Sequence, residues 1–380
     1  MFTPAITGTG VYTPPDVITN DELVAAYNGY ADRMNKRNAV AIATGVEEPI
    51  PHSSAEFIES ASGIRQRYVV DKSGILDPEI MHPVLRERSM EEPGLMAEMA
   101  LAAAKRALAA AGREPGEIGA VIVAASNHER PYPAIAVEVQ ELLGIEGFGF
   151  DMNVACSSAT FGIQAAADMI RSGSVKSVLM VNPEICSGHH EWRDRDCHFI
   201  FGDVCTAVVL ERAEEAKGPH WEILGTRCQT KFSNNIRNNN GYLRRTREGH
   251  MEDRRDMQFM QNGRKVFREV VPIVTTHIGA QLQDLGLGAD ELKRLWLHQA
   301  NKTMNDLIGK KVLGREPAAG EQPNILQDYA NTSSAGSIIA FSKYSEDLGE
   351  GDLGLICSFG AGYSVGSVVL RRRGAATAGH

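Results

Sequence analysis

The stretch that decides the reading of this chain is Gly147-Phe148-Gly149-Phe150-Asp151-Met152-Asn153-Val154-Ala155-Cys156-Ser157-Ser158-Ala159. A hydrophobic segment runs into a thiol, and small residues follow. Ile163, Ala166, Ala167 and Ile170 then recur at i, i+3, i+4 and i+7, and Gly173 supplies a stop, which predicts a helix. Cys156 would sit at the start of that helix, where unpaired N–H groups and the macrodipole favour a thiolate. Small neighbours leave room for an acyl group on sulfur. Free cysteine is also among the most buried residue types, so the local pattern alone leaves nucleophile and core residue both open.

Outward from this turn, the chain alternates strands and helices. Strands are predicted over residues 5–12, 118–125, 175–181 and 204–210, and helices over 95–111 (capped by Gly112) and 137–143. The second half repeats the style, with strands over 221–230 and 295–298 and helices over 264–285, 302–312 and 337–345. Two strands, 353–358 and 365–371, close it around Gly360-Ala361-Gly362-Tyr363. The pattern predicts two related α/β halves, 1–215 and 216–380, with sites at the carboxyl ends of strands. Two polar stretches interrupt it. Residues 28–54 read as a loop or flap. Residues 231–256, with Asn234, Asn235, Arg237, Asn238, Asn239, Asn240, Arg244, Arg245 and Arg247, read either as a solvated loop or as a surface for an anionic ligand.

Composition narrows the class. The 380 residues can bury a large core, and no apolar run reaches the roughly 20 residues that span a bilayer. Residues 1–12 lack a basic region followed by an apolar core, so no secretory signal is expected. The six cysteines form no CxxC pair, which fits reduced thiols in a cytoplasm. A formal charge of −9 argues against a nucleic-acid-binding surface over the whole molecule, but not against a local basic patch.

A nucleophilic thiol needs an orienting group and donors for a developing oxyanion. His298 ends the apolar run Leu295-Trp296-Leu297, Asn331 opens a loop into a helix, and the 360–362 turn can bring backbone N–H groups close to a substrate. Singly, each is more often structural: a packed histidine, an N-cap, a hairpin turn. Together they make a thiol, an imidazole, an amide and a glycine turn, each at a strand end or a helix start.

Ala155-Cys156, His298-Gln299-Ala300-Asn301, Asn331-Thr332-Ser333 and Phe359-Gly360-Ala361-Gly362-Tyr363 resemble the signatures of β-ketoacyl-acyl-carrier-protein synthase III. Ser62-Gly63-Ile64-Arg65-Gln66-Arg67 and Phe201-Gly202-Asp203 resemble two further motifs of that family, all in the same order along the chain. The resemblance implies a thiolase-like five-layered αβαβα fold from two pseudo-equivalent halves, and a homodimer. It implies catalytic Cys156, His298 and Asn331, with an oxyanion hole from the N–H groups of Cys156 and Ala361. Cys156 would accept an acyl group from acyl-CoA or an acyl carrier protein. His298 and Asn331 would then stabilise the enolate formed as malonyl carrier protein loses CO2. Neither metal nor cofactor is implied, since the thioesters are substrates.

The resemblance also implies substrate contacts at Phe57, Tyr132, Arg195 and Phe201, with Tyr132 reaching across the dimer. It implies carrier-protein docking at Arg268, Lys310 and Lys311. Ser157-Ser158 stands where many relatives have Ala-Gly. Ala61 and Thr303 stand where arginines meet the coenzyme A nucleotide, leaving Arg195, with Lys302 or the 231–256 segment as compensation. These departures point away from an acetyl starter and toward a longer or unusual primer. The competing expectations are an acyltransferase or non-decarboxylating condensing enzyme of a specialised pathway, and a catalytically dead partner subunit. The latter would have no need to keep all three of Cys156, His298 and Asn331.

Overall fold

The computed structural model describes residues 1–246 and 255–374; Arg247 of the arginine-rich segment lies outside them. Along the chain come β1 (Pro4–Tyr12), β2 (Asp16–Thr19), α1 (Asn20–Arg37), α2 (Ala39–Ala43), α3 (Ala55–Ser62) and β3 (Gln66–Val69). Then follow α4 (Leu95–Ala111), β4 (Ala120–Ala124), α5 (Ile135–Leu143), β5 (Phe148–Met152), α6 (Ser158–Ser172), β6 (Ser177–Glu184) and β7 (Val204–Arg212). The second half holds β8 (His220–Thr230), β9 (Ile236–Arg237), β10 (Met260–Gln261), α7 (Gly263–Asp284), β11 (Leu292–Leu297) and α8 (Lys302–Leu313). It ends with α9 (Leu326–Tyr329), α10 (Gly336–Lys343), β12 (Leu353–Gly360) and β13 (Ser364–Arg373).

Nine strands form one sheet in the order β11-β12-β13-β8-β1-β7-β6-β4-β5. The halves meet at β1 and β8, which pair only through Ala5 with Glu222 and Ile6 with Trp221. Outward from that seam, each half places its first strand, then its last, then its penultimate one. Where β5 closes the first half, the second has no strand among the described residues, and Leu295 N–H donates to the Glu321 carbonyl at 2.7 Å.

Side-chain alternation along the strands creates five layers. In β4, Ala120, Ile122 and Ala124 face a central core, whereas Val121 and Val123 face α4 and α5. In the second half, Trp296, Ile356 and Val368 face the same central core, whereas Leu295, Leu297 and Leu355 face α7 and α8. The central core is filled by α6 and α10, through Ile163, Ile170, Ile338 and Phe341. The predicted five-layered arrangement of two pseudo-equivalent halves is therefore present. The alanine-rich face of α4 has a partner in Gly8 and Gly10 of β1. A Cβ at Gly10 would lie 2.1 Å from the Ala103 carbonyl oxygen, so only glycine lets helix and strand approach this closely.

One expectation is corrected. Residues 28–54 are not a loop throughout: α1 continues to Arg37 and α2 follows. Buried Leu23, Ala26, Tyr27 and Ala31 supply helical spacing that the polar residues around them masked. Thr19 and Glu22 close a capping box at the start of α1.

Burial lowers the imidazoles of His190 to about 3 and of His189, His198, His277 and His298 to about 4. Their folded values lie below the ordinary 6.5 or so, so the unfolded chain gains protons first as pH falls. Their contribution to stability is complete above about pH 6.5 and is lost toward pH 4. Burial raises Glu184 to about 7 and Asp203 to about 6, which acts in the opposite direction. With five rings against two acids, the melting temperature is expected to fall steadily between pH 6.5 and 4.5 in a buffered thermal melt.

Candidate active site

Two short turns deliver the key side chains. Val154 (φ −131°, ψ 39°) and Ala155 (φ 47°) lead into a 3-10 turn over Ala155–Ser157 and then α6. Thr332 (φ −103°, ψ 35°) and Ser333 (φ 50°) lead into a 3-10 turn over Ser333–Ala335 and then α10. The same backbone path thus occurs once in each half, with a non-glycine residue at positive φ each time. Such conformations persist only where surrounding structure over-determines them. Asn153 Oδ1 accepts from Ala155 N–H, and Asn331 Oδ1 accepts from Ser333 N–H, both at 2.9 Å.

The turns meet at a cavity of about 630 Å3. Cys156, His298 and Asn331 all line it, from three separate parts of the chain. The Ser333 hydroxyl donates to Cys156 Sγ at 3.5 Å. The backbone N–H groups of Ala361 and Cys156 itself are near enough to favour the sulfur's charged form. Gly360 is required here, because a Cβ on it would lie 2.6 Å from Cys156 Cβ and 3.0 Å from Sγ.

The sulfur's electrostatics reverse the expectation of a favoured thiolate. Burial pushes the thiol up to about 11, and the Glu184 carboxylate adds to the rise. The Ser333 hydroxyl and the two N–H groups oppose this without overcoming it. Burial likewise brings His298 down to about 4, with a hydrogen bond from its ring to the Ser333 backbone carbonyl opposing, so its ring is neutral at pH 7. The ring stands edge-on to Phe359, centroids 5.2 Å apart, and its Nδ1 is buried without a hydrogen-bond partner. Asn331 joins the backbone of Ile200 and Gly202, and its side-chain NH2 has no protein partner among the described residues. The site thus offers a protonated thiol, a neutral imidazole, a free amide and convergent backbone donors. That set suits acyl transfer and a carbonyl that gains negative charge.

Of the expected substrate residues, Phe57 and Phe201 line the cavity. Arg195 does not; its guanidinium lies over the Phe57 ring, 4.3 Å from the centroid, and its Nε donates to the His52 carbonyl. Tyr132 is 81 % exposed and is not among the lining residues. Ala361 does not line the cavity either, although its N–H favours the sulfur's charged form. Arg268 on α7 and Lys310 and Lys311 on α8 are exposed, and Lys310 pairs with Glu316. Sequence reasoning missed Ile236 of β9, inside the arginine-rich segment, and Phe259 and Gln261, just beyond it, all of which stand in the wall. It also missed Arg264, which lines the wall from the first turn of α7. The apolar Phe199-Ile200-Phe201 run was the available signal for the deeper wall.

Gly360→Ala is expected to fold but to react with iodoacetamide at Cys156 at least tenfold more slowly than the parent, as read by mass spectrometry of the labelled peptide.

Models of known families match the chain at two places. The 3-oxoacyl-[acyl-carrier-protein] synthase III model covers residues 150–231, and the model of that enzyme's C-terminal part covers 282–372. The chain is 56% identical over 348 residues to a β-ketodecanoyl-[acyl-carrier-protein] synthase of Pseudomonas aeruginosa, covering 91% of this chain and 99% of the relative. It is 30% identical over 339 residues to a β-ketoacyl-[acyl-carrier-protein] synthase III of Sphingopyxis alaskensis, covering 87% and 98%. The crystal structure of the synthase III from Aquifex aeolicus superposes with a TM-score of 0.75 at 26% identity, covering 97% and 99% of the two chains. Cavity, turns and relatives agree: the chain belongs to the β-ketoacyl-[acyl-carrier-protein] synthase III family of acyl-transferring condensing enzymes.

Proposed function

We propose that this enzyme condenses a medium-chain acyl thioester with malonyl carrier protein, holding the acyl group on Cys156. The observation that carries the site assignment is the convergence of Cys156, His298 and Asn331 on one cavity, with the Ser333 hydroxyl on the sulfur. The first half, residues 1–215, contributes the thiol; the second, residues 216–380, contributes the imidazole and the amide.

In the first half-reaction, sulfur bonds to the acyl carbon and the donor thiol departs with the proton that Cys156 loses. The N–H groups of Cys156 and Ala361 hold the oxyanion of the tetrahedral intermediate. In the second, His298 and Asn331 donate to the malonyl thioester carbonyl. The C–C bond to the carboxylate breaks, CO2 leaves, and its electron pair becomes the enolate. A neutral imidazole suits this role, since one ring N–H donates to the oxygen that gains charge without bringing a second, costly cation into the buried site. The enolate carbon attacks the acyl-cysteine, and sulfur leaves and regains a proton. The sum is acyl thioester plus malonyl thioester plus a proton giving β-ketoacyl thioester, CO2 and free thiol.

The primer reading rests on the relative that shares 56% of its residues and is named for a β-ketodecanoyl product. Ten carbons minus the two from malonyl leave an eight-carbon primer. A wall with Phe199, Ile200, Phe201, Phe259, Phe267 and Met304 suits an alkyl chain. Coenzyme A or a carrier protein presents the primer, Phe57 and Arg195 flank the mouth, and Arg268, Lys310 and Lys311 attract the acidic carrier. A cytoplasmic homodimer, with the partner subunit's Tyr132 at the end of the acyl pocket, completes the reading.

With malonyl carrier protein as acceptor, the purified enzyme is expected to turn over octanoyl-CoA at least tenfold faster than acetyl-CoA. Cys156→Ala is expected to abolish product while leaving the melting temperature within a few degrees. An acetyl preference would overturn the medium-chain assignment, and condensation by Cys156→Ala would overturn the acyl-cysteine.

A further inference from the structure

Glu184 closes β6 and is 1% exposed, yet it belongs to no ion pair among the described residues. Four donors converge on its carboxylate, two from each of two serines. Ser126, just beyond β4, donates its N–H at 3.0 Å and its hydroxyl. Ser334, in the turn before α10, donates its N–H at 3.2 Å and its hydroxyl. A buried carboxylate is costly unless such donors meet it, and charge-assisted bonds are about twice as strong as neutral ones.

Both serines lead to the reacting groups. Ser334 follows Ser333, whose hydroxyl reaches Cys156 Sγ and whose N–H is held by Asn331 Oδ1. On the other side, the Ser126 carbonyl accepts from Asn153 Nδ2 at 2.8 Å, and Asn153 Oδ1 accepts from Ala155 N–H, one residue before the thiol. One carboxylate therefore braces the thiol's turn and the Asn331 turn. Both turns hold a non-glycine residue at positive φ, which needs outside support.

We propose that Glu184 is a positioning residue for the condensation: it locks the Cys156 turn and the Asn331 turn at one separation, so that an acyl-cysteine and an enolate formed across the cavity meet at bonding distance. The proposal rests on the two half-reactions described above. Glu184 also acts on the thiol through its charge. The ionisable groups under its influence are Cys156, Cys186 and Cys205, and its negative charge opposes loss of the proton from each.

Glu184→Gln preserves shape and removes charge; Ser334→Ala removes one arm of the brace. Three quantities are read in each variant: CO2 release from malonyl carrier protein without primer, the pH dependence of iodoacetamide reaction at Cys156, and the melting temperature. Glu184→Gln is expected to lower CO2 release about tenfold. It is also expected to move thiol alkylation to lower pH, because a negative charge near sulfur has gone. Ser334→Ala is expected to lower CO2 release by a larger factor than alkylation. A Glu184→Gln enzyme matching the parent in both readouts overturns the proposal. So does one that loses both in step with its melting temperature, since plain structural support would do that. A parent that releases no CO2 would instead overturn the condensing reaction itself.

Discussion

Everything in this molecule is arranged around one packing constraint: the two halves of the nine-stranded sheet share a single pair of central helices. The inner faces of β4, β6 and β7 and of β11, β12 and β13 all bury their alternate residues against α6 and α10. Those helices can start only where the sheet allows, so their first turns come together at the cavity. The site is the place where two equivalent helix starts are forced to meet, and it inherits its geometry from the core.

The equivalence extends to the backbone and stops at the chemistry. Ala155 and Ser333 take the same positive φ, and both are followed by a short 3-10 turn and a helix. The first turn carries a thiol; the second carries the amide two residues upstream of Ser333 and a hydroxyl aimed at that thiol. Burial then tunes the pair. It keeps Cys156 protonated and His298 neutral, which suits a site that stabilises a carbanion made by loss of CO2 rather than one that activates water.

Much of this was legible beforehand. The helix over Leu95–Ala111 and its Gly112 cap follow from an uninterrupted run of strong helix formers ended by glycine. β4 and β6 follow from continuous apolar runs, as expected for strands covered on both faces. The helices over residues 20–43 were harder to see, because their buried side is narrow and polar residues dominate the count. Arg264 and Phe259 were missed for another reason. They come near the cavity only after α7 and the β9–β10 pair fold over it, and neither lies in a patterned motif.

The sequence by itself determined the alternating α/β architecture, the thiol at a helix start, and the His298 and Asn331 positions that the fold brings to the same cavity. Those properties depend on local periodicity and on residue types that few other chemistries need together. Only the tertiary structure decided the protonation of Cys156, because desolvation depends on what packs around the sulfur from both halves. It alone revealed that Glu184 joins the two turns, since Ser126 and Ser334 are 208 positions apart in the chain and meet only across the shared core. Charge burial and long-range bracing are properties of the assembled layers, and no window of sequence contains them.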